Sequence, residues 1–343
     1  MAIAHLMGVE ELEELLSRPM PEVVDAVTGL DGHLLILGVG GKMGPTLAMM
    51  ACRAVRKAGS GQRVIGVARF SDPAVRAKLD HAGVETICSD LMAEGALNAL
   101  PDVPNVIYMV GHKFGTTGQE ALTWALNAYL PGMVAQRFRH SRIVVFSSGN
   151  VYPLTPVALG GPTEETAPSP IGEYAQSVLG RERIFEFYAR QFQIPSVLFR
   201  LNYAVEMRYG VLLDVARKVW TGEAIDVSMG HVNVIWQGDA NAYALRALHL
   251  VEVPPRALNV TGPETVSVRA LAQRFGELLG RRPILQGVEQ QNALLSNAGQ
   301  AFRLLGYPSV SLNQVIEWVA HWVVDGGAVL GKPTKYGVRD GRF

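Results

Sequence analysis

Leu34-Leu35-Ile36-Leu37-Gly38-Val39-Gly40-Gly41-Lys42-Met43-Gly44 decides the fold. An apolar run of strand length enters glycines spaced GxxGxxG at Gly38, Gly41 and Gly44, with Gly40 between them. A helical pattern rich in Ala, Met and Leu follows over 45–57. Strand, tight glycine turn and helix in that order is what a dinucleotide pyrophosphate needs. Glycine lets the backbone turn and approach closely, and the helix N-terminus presents free N–H groups and positive dipole. An ordinary βα turn can share the glycine spacing, so the flanking pattern carries the reading. It assigns Gly38, Gly40, Gly41, Lys42, Met43 and Gly44 to cofactor binding.

Working outward, apolar strands are expected at about 63–69, 84–88, 105–110, 142–146 and 196–200. Helices are expected at about 119–139 and 173–191, with a proline-rich loop over 153–170. Strands alternating with helices predict an α/β fold, a Rossmann-type doubly wound parallel sheet. After about residue 205 the rhythm weakens into helical patterns at 212–220, 239–250, 268–279 and 312–324. Short strand-like pieces such as 257–261 lie between them. This predicts a smaller C-terminal α+β substrate lobe over the carboxyl edge of the sheet. The expected division is a helical extension over 1–30 and a nucleotide-binding domain over 31–205, with returning segments from about 230–262. The smaller lobe covers 206–330, and a polar tail covers 331–343, either a flexible end or an arm across a partner subunit.

Bulk numbers exclude several classes. The 343 residues are 48% apolar and 18% charged, which suits a well-packed globule. The formal net charge is zero, so the basic face needed for nucleic acid is missing. No uncharged run reaches the length of a membrane span. Residues 8–16 read as an acidic amphipathic helix rather than a signal peptide. Cys52 and Cys88 lack metal-ligand spacing and are expected to be reduced core thiols of a cytoplasmic protein, with no metal.

The order of these pieces resembles the extended short-chain dehydrogenase/reductases, the NAD(P)-dependent epimerase/dehydratase family, over about residues 33–325. The glycine turn matches the family's GxxGxxG. Phe146-Ser147-Ser148-Gly149-Asn150-Val151-Tyr152-Pro153 resembles its Ser-Ser-x-x-Val-Tyr-Gly segment. Thr163-Glu164-Glu165-Thr166 precedes Tyr174-Ala175-Gln176-Ser177-Val178, which sits where Tyr-x-x-x-Lys is expected. The run from Ala257 to Arg269, with Asn259-Val260-Thr261-Gly262-Pro263-Glu264, resembles the late Asn-Val-Gly-Gly-Pro-Glu segment, and Leu304-Leu305-Gly306-Tyr307 resembles Leu-Leu-Gly-Trp.

The resemblance implies hydride transfer between a nicotinamide and a carbon bearing a hydroxyl or carbonyl oxygen. Tyr174 would exchange that oxygen's proton, its pKa lowered from about 10 toward working pH. Ser148 would hold the same oxygen, and Ser147 would stand near the cofactor. Asp90 and Leu91 would hold the adenine. Val110, Gly111, Leu201 and Asn202 would complete the cofactor site. At the end of the second strand NAD enzymes commonly place an acidic residue. Here Arg69 stands there, and a guanidinium grips a 2′-phosphate, so NADP is expected over NAD.

Position 178 departs from the family. A lysine there lowers the tyrosine pKa and bonds the nicotinamide ribose; Val178 does neither. Arg181, seven residues after Tyr174 and about 10 Å along the helix axis, reads as a poor substitute. Lys113 and His112, in the loop after the fourth strand, are the expected source of the missing charge or proton. Alternatives are a catalytically degenerate NADP(H)-binding sensor or partner-binding protein and, less favoured because Gly149-Asn150 replaces an Asp-Glu pair, a sugar dehydratase.

Relatives that handle nucleotide-sugars carry an arginine where this chain has Val232, so a small sugar, sugar acid or ketone is expected. Ser148, Asn150, Tyr203, Arg208 and His231 are its candidate contacts, and Trp236 is expected in the core. The resemblance also implies a homodimer through the helices near 119–139 and 173–191. Leu122, Leu126, Tyr129, Ile184, Phe185 and Tyr188 supply the apolar surplus.

Overall fold

Seven strands build the central sheet: β1 (Leu34–Leu37), β2 (Val64–Ala68), β3 (Glu85–Cys88), β4 (Asn105–Tyr108), β5 (Arg142–Ser148), β6 (Ser196–Leu201) and β7 (Arg256–Val260). The computed structural model describes residues 8–113, 115–332 and 334–342. The strand order is β7-β6-β5-β4-β1-β2-β3, and every pairing is parallel. The chain reverses direction across the sheet between β1 and β4. A crevice opens at their carboxyl ends, where ligands bind in such folds.

Alternation along the strands sorts side chains onto two covered faces. Leu34 and Ile36 face one cluster with Ile107, Val144 and Val197. Leu35 and Leu37 face the other with Ile65, Val67 and Val106. Helix Gly44–Ala58 lays Leu47, Ala48, Ala51 and Ala54 on the first face, then stops at Gly59 in the left-handed region. The returning segment expected at about 230–262 supplies the edge strand β7 of the main sheet. Leu258 and Val260 bury against the same cluster as Val197 and Phe199.

The smaller lobe has its own core. Helices Val211–Thr221, Val268–Leu279 and Leu312–Val324 pool Leu212, Val215, Phe275 and Trp318. Trp236 lies there, 4% exposed, with its ring centroid 5.5 Å from that of Trp318.

Three expectations change in detail. The N-terminal extension is two helices, Val9–Leu16 and Pro21–Thr28, sunk into the molecule. Leu12 and Leu16 enter the small-lobe core, and Val23 and Val27 enter the sheet cluster. Burying each such side chain contributes about 1.5–3 kcal/mol, so the extension is a seam between the lobes. The helix expected at 119–139 is broken into Glu120–Trp124, a π turn at Ala125–Tyr129, and Leu130–Arg137. Pro131 has no N–H to give the carbonyl of Asn127 four residues back. Cys52 is buried as expected, but Cys88 is exposed at the end of β3, with its thiol on the Arg69 carbonyl at 3.3 Å.

Among the described residues no helix is long and apolar enough to cross a membrane. No group of three His, Cys, Asp or Glu side chains there could hold a metal ion.

Candidate active site

A cavity of about 490 Å³ occupies the crevice. Gly38, Gly40 and Gly41 form its floor, Arg69, Asp90 and Leu91 line one end, and Val110, Gly111 and His112 line the other. Gly38 has φ +90°, and a Cβ there would lie 2.9 Å from the Val110 nitrogen. That position needs glycine both for its backbone angle and for the approach of β1 to β4. Arg69 is exposed at the cavity edge. Asp90 accepts from the Met92 N–H at 3.0 Å, closing a turn. The buried Nε2 of His112 has no partner among the described residues. The groove therefore fits an extended dinucleotide: close-approach glycines, a helix N-terminus behind them, a cation at one end and an unsatisfied ring nitrogen at the other.

Ser148 and Tyr174 meet beyond the far end of this groove. Ser148 ends β5, and Tyr174 opens helix Gly172–Phe192; the serine hydroxyl hydrogen-bonds the phenol oxygen. Asn150 donates to Ser148 Oγ through its backbone N–H at 3.2 Å and Nδ2 at 3.1 Å, fixing the serine. The Lys113 ammonium stands 5.6 Å from the Tyr174 ring centroid. Burial pushes the Lys113 pKa down to about 8. The Tyr174 pKa departs from expectation. Burial pushes it above 10, while the Arg181 charge and the Ser148 hydrogen bond pull the other way.

Arg181 corrects its sequence reading as a poor substitute. It is 5% exposed, and its charge is the largest influence lowering the Tyr174 pKa against burial. Nη1 donates to the Phe146 carbonyl at 2.6 Å, Nη2 to Asn127 Oδ1 at 2.9 Å and Nε to the Asn127 carbonyl at 3.3 Å. That carbonyl is the one Pro131 leaves free. Asn127 also clamps the loop after β4, accepting from His112 N–H at 2.8 Å and donating to His112 O at 2.9 Å. A Cβ on Gly111 would come within 2.9 Å of Arg181 Nη2. Val178, 1% exposed, packs with Val151, Tyr152 and Tyr174. Sequence reasoning missed Asn127; its one advance signal was the proline four residues on.

Several expected site residues are used differently. Ser147 donates to Glu182 at 2.5 Å, behind the site; Glu182 is paired with Arg200 at 2.6 Å, and Arg200 bonds the Tyr152 hydroxyl at 2.6 Å. Met43 is a core side chain, and Gly44 packs on the Val39 backbone. Lys42 leaves the phosphate turn: its ammonium bonds the Ala204 carbonyl at 2.7 Å and lies 3.9 Å from the Tyr209 ring centroid. Burial lowers its pKa to about 7, opposed by the Glu206 charge. Arg208 is not free for substrate, being paired with Glu206 at 3.1 Å and Glu13 at 2.8 Å.

Leu201 packs at the end of β6, where it pairs in register with Ser148. Asn202, just beyond it, has a buried Nδ2 with no partner among the described residues. Tyr203 has φ +43°, and burial together with the nearby phenols of Tyr209, Tyr336 and Tyr174 pushes its pKa up. His231 stands in the smaller lobe on a short strand paired with Ser267. Phe185 faces the sheet core, leaving Leu122, Trp124, Tyr129 and Phe187 as the exposed large apolar residues of the two long helices.

A family model described as the NAD dependent epimerase/dehydratase family matches residues 34–222, more than half of the chain. Among solved structures, the UDP-glucuronic acid 4-epimerase of Bacillus cereus, in complex with UDP-glucuronic acid and NAD, is 17% identical with a TM-score of 0.70. The match covers 85% of this chain and 99% of that one. The UDP-glucose 4-epimerase of Thermotoga maritima, with UDP-glucose, is 16% identical with a TM-score of 0.71, over 86% and 99% of the two chains. The Thermus thermophilus UDP-glucose 4-epimerase complex with NAD gives 16% and 0.70, over 87% and 100%. No curated protein matches the sequence.

Proposed function

The chain belongs to the NAD dependent epimerase/dehydratase family, and on that premise we propose that it moves hydride between NADP(H) and a small hydroxyl or carbonyl compound. It is an enzyme of the short-chain dehydrogenase/reductase type, and its cofactor is a nicotinamide dinucleotide. A sugar, sugar acid or ketone is the substrate class. The carrying observation is the Ser148–Tyr174 hydrogen bond beyond a glycine-floored groove, with the Lys113 cation over the phenol ring.

Gly38, Gly40, Gly41, Val110 and Gly111 would hold the dinucleotide, with Asp90 and Leu91 at the adenine. Arg69 would grip a 2′-phosphate, which favours NADP. Bound there, the cofactor supplies or accepts the hydride. Ser148 orients the reacting oxygen. Tyr174 gives that oxygen a proton when a carbonyl is reduced, or takes one when a hydroxyl is oxidised. Lys113 and Arg181 favour the phenolate by charge, the task Val178 cannot perform. His112 is the second candidate for the proton path, its Nε2 facing no protein partner among the described residues.

Val232 is fully buried in the small-lobe core and offers no charge to a diphosphate, which supports a substrate without a nucleotide. Outward Leu122, Tyr129 and Phe187 support a homodimer through the two long helices. Two free cysteines, one of them exposed, support the cytoplasm. The test is NADPH and NADH titration by fluorescence, then turnover on a carbonyl panel. Binding with turnover supports the enzyme; tight binding without turnover supports a nucleotide sensor instead.

A further inference from the structure

The C-terminal segment 334–342 does not trail away. Thr334 is 2% exposed and its hydroxyl bonds Asp214 on helix Val211–Thr221. Tyr336, 7% exposed, enters the small-lobe core, close enough for its phenol to raise the pKa of Tyr203. Val338 packs on the cluster of Val151, Tyr152, Tyr174 and Val178. Arg339 then reaches back to the smaller lobe, donating to the Asn292 carbonyl at 3.0 Å, the Ser228 carbonyl at 3.3 Å and Asn292 Oδ1. Gly341 closes on Gly172, the first residue of the tyrosine helix. A Cβ on Gly172 would lie 2.6 Å from the Gly341 carbonyl oxygen, and one on Gly341 would strike the Ile171 carbonyl. Both glycines have positive φ, +82° and +74°.

The segment thus spans both lobes and rests on the cluster that holds Tyr174. We propose that residues 334–342 are the outer wall of the substrate site and limit the substrate to small compounds. This rests on the hydride-transfer reading above and adds what sets substrate size. Two anchors in the smaller lobe and one at Gly172 hold Val338 against the Tyr174 cluster. A bulky group on the reacting carbon would have to displace that contact.

Two variants test it: a chain ending at Gly337, which keeps the buried Thr334 and Tyr336, and Gly341→Val, which drives a branched side chain into Ile171 at a positive φ. Each is compared with the full chain for reduction of glyceraldehyde and 2-naphthaldehyde by NADPH, and for backbone hydrogen exchange at 172–178. The expected result is an NADPH affinity within about twofold of the parent and a naphthaldehyde-to-glyceraldehyde ratio of kcat/KM raised about tenfold or more, as for a pocket wall removed. Exchange at 172–178 should quicken. An unchanged ratio, or a parent that already prefers naphthaldehyde, overturns the proposal. If no protein reduces either aldehyde, the hydride-transfer reading fails; unchanged exchange then overturns the wall as well, and faster exchange upholds the cover over Tyr174.

Discussion

The Lys113 ammonium lies 5.6 Å from the centre of the Tyr174 ring, on a loop that Asn127 holds by both its N–H and its carbonyl at His112. In the proposed mechanism this cation joins Arg181 in favouring the phenolate that burial disfavours. Lys113→Ala should lower kcat by about tenfold to a hundredfold while NADPH binding persists. Turnover and binding equal to the parent would remove Lys113 from the mechanism.

The same pair sets a pH dependence. Burial lowers the Lys113 pKa to about 8, so its charge is present below that pH and lost above it. Parent kcat should fall as pH rises through about 8. Lys113→Arg, which keeps its charge, should move that limb to higher pH. A limb unmoved in Lys113→Arg would assign it to another group.

Lys42 predicts a stability trend. Its folded pKa of about 7 lies well below the unfolded value, so the folded state holds fewer protons across that window. Stability then rises with pH between the two values, because folding strips the lysine's proton there and that cost shrinks as pH nears the unfolded pKa. Relative to the parent, Lys42→Met should be more favourable in Tm at pH 6 than at pH 9.5. The reverse order would contradict the burial of a strained cation.

Glu182 and Arg200 form a buried pair, 1% and 5% exposed, that also ties Ser147 and Tyr152. Removing one charge strands the other, so Glu182→Ala should cost about 3–5 kcal/mol of stability by denaturant unfolding. Adding Arg200→Ala should cost less than the sum of the two single changes.

Arg69 tests cofactor choice. Arg69→Ala should weaken NADPH binding about tenfold or more and leave NADH binding nearly unchanged. Equal losses for both nucleotides would refute the 2′-phosphate role.

What the sequence made legible is local. The apolar run into Gly38, Gly41 and Gly44 encodes its own strand, turn and helix, and the alternation of later runs encodes the parallel sheet. Ser148 and Tyr174 came from the family resemblance, and the fold brings the two hydroxyls into one hydrogen bond. What escaped depends on long-range geometry. Arg181 donates to the Asn127 carbonyl, which Pro131, fifty residues earlier in the chain, leaves without a helical donor. Arg208 is claimed by Glu13 from the N-terminal helix, and Lys42 turns from the phosphates to Ala204 in the other half of the chain. The packing of Val338 on the cluster that holds Tyr174 joins residues far apart in sequence, and no periodicity announces it.

The most direct measurement is oxidation of NADPH by the parent and by Tyr174→Phe on the same carbonyl panel, with NADPH affinity read in parallel. The account predicts turnover by the parent, a loss of about a hundredfold or more in Tyr174→Phe as expected for a lost general acid, and unchanged affinity. A Tyr174→Phe variant as active as the parent, or a parent that binds NADPH tightly and never oxidises it, would contradict it.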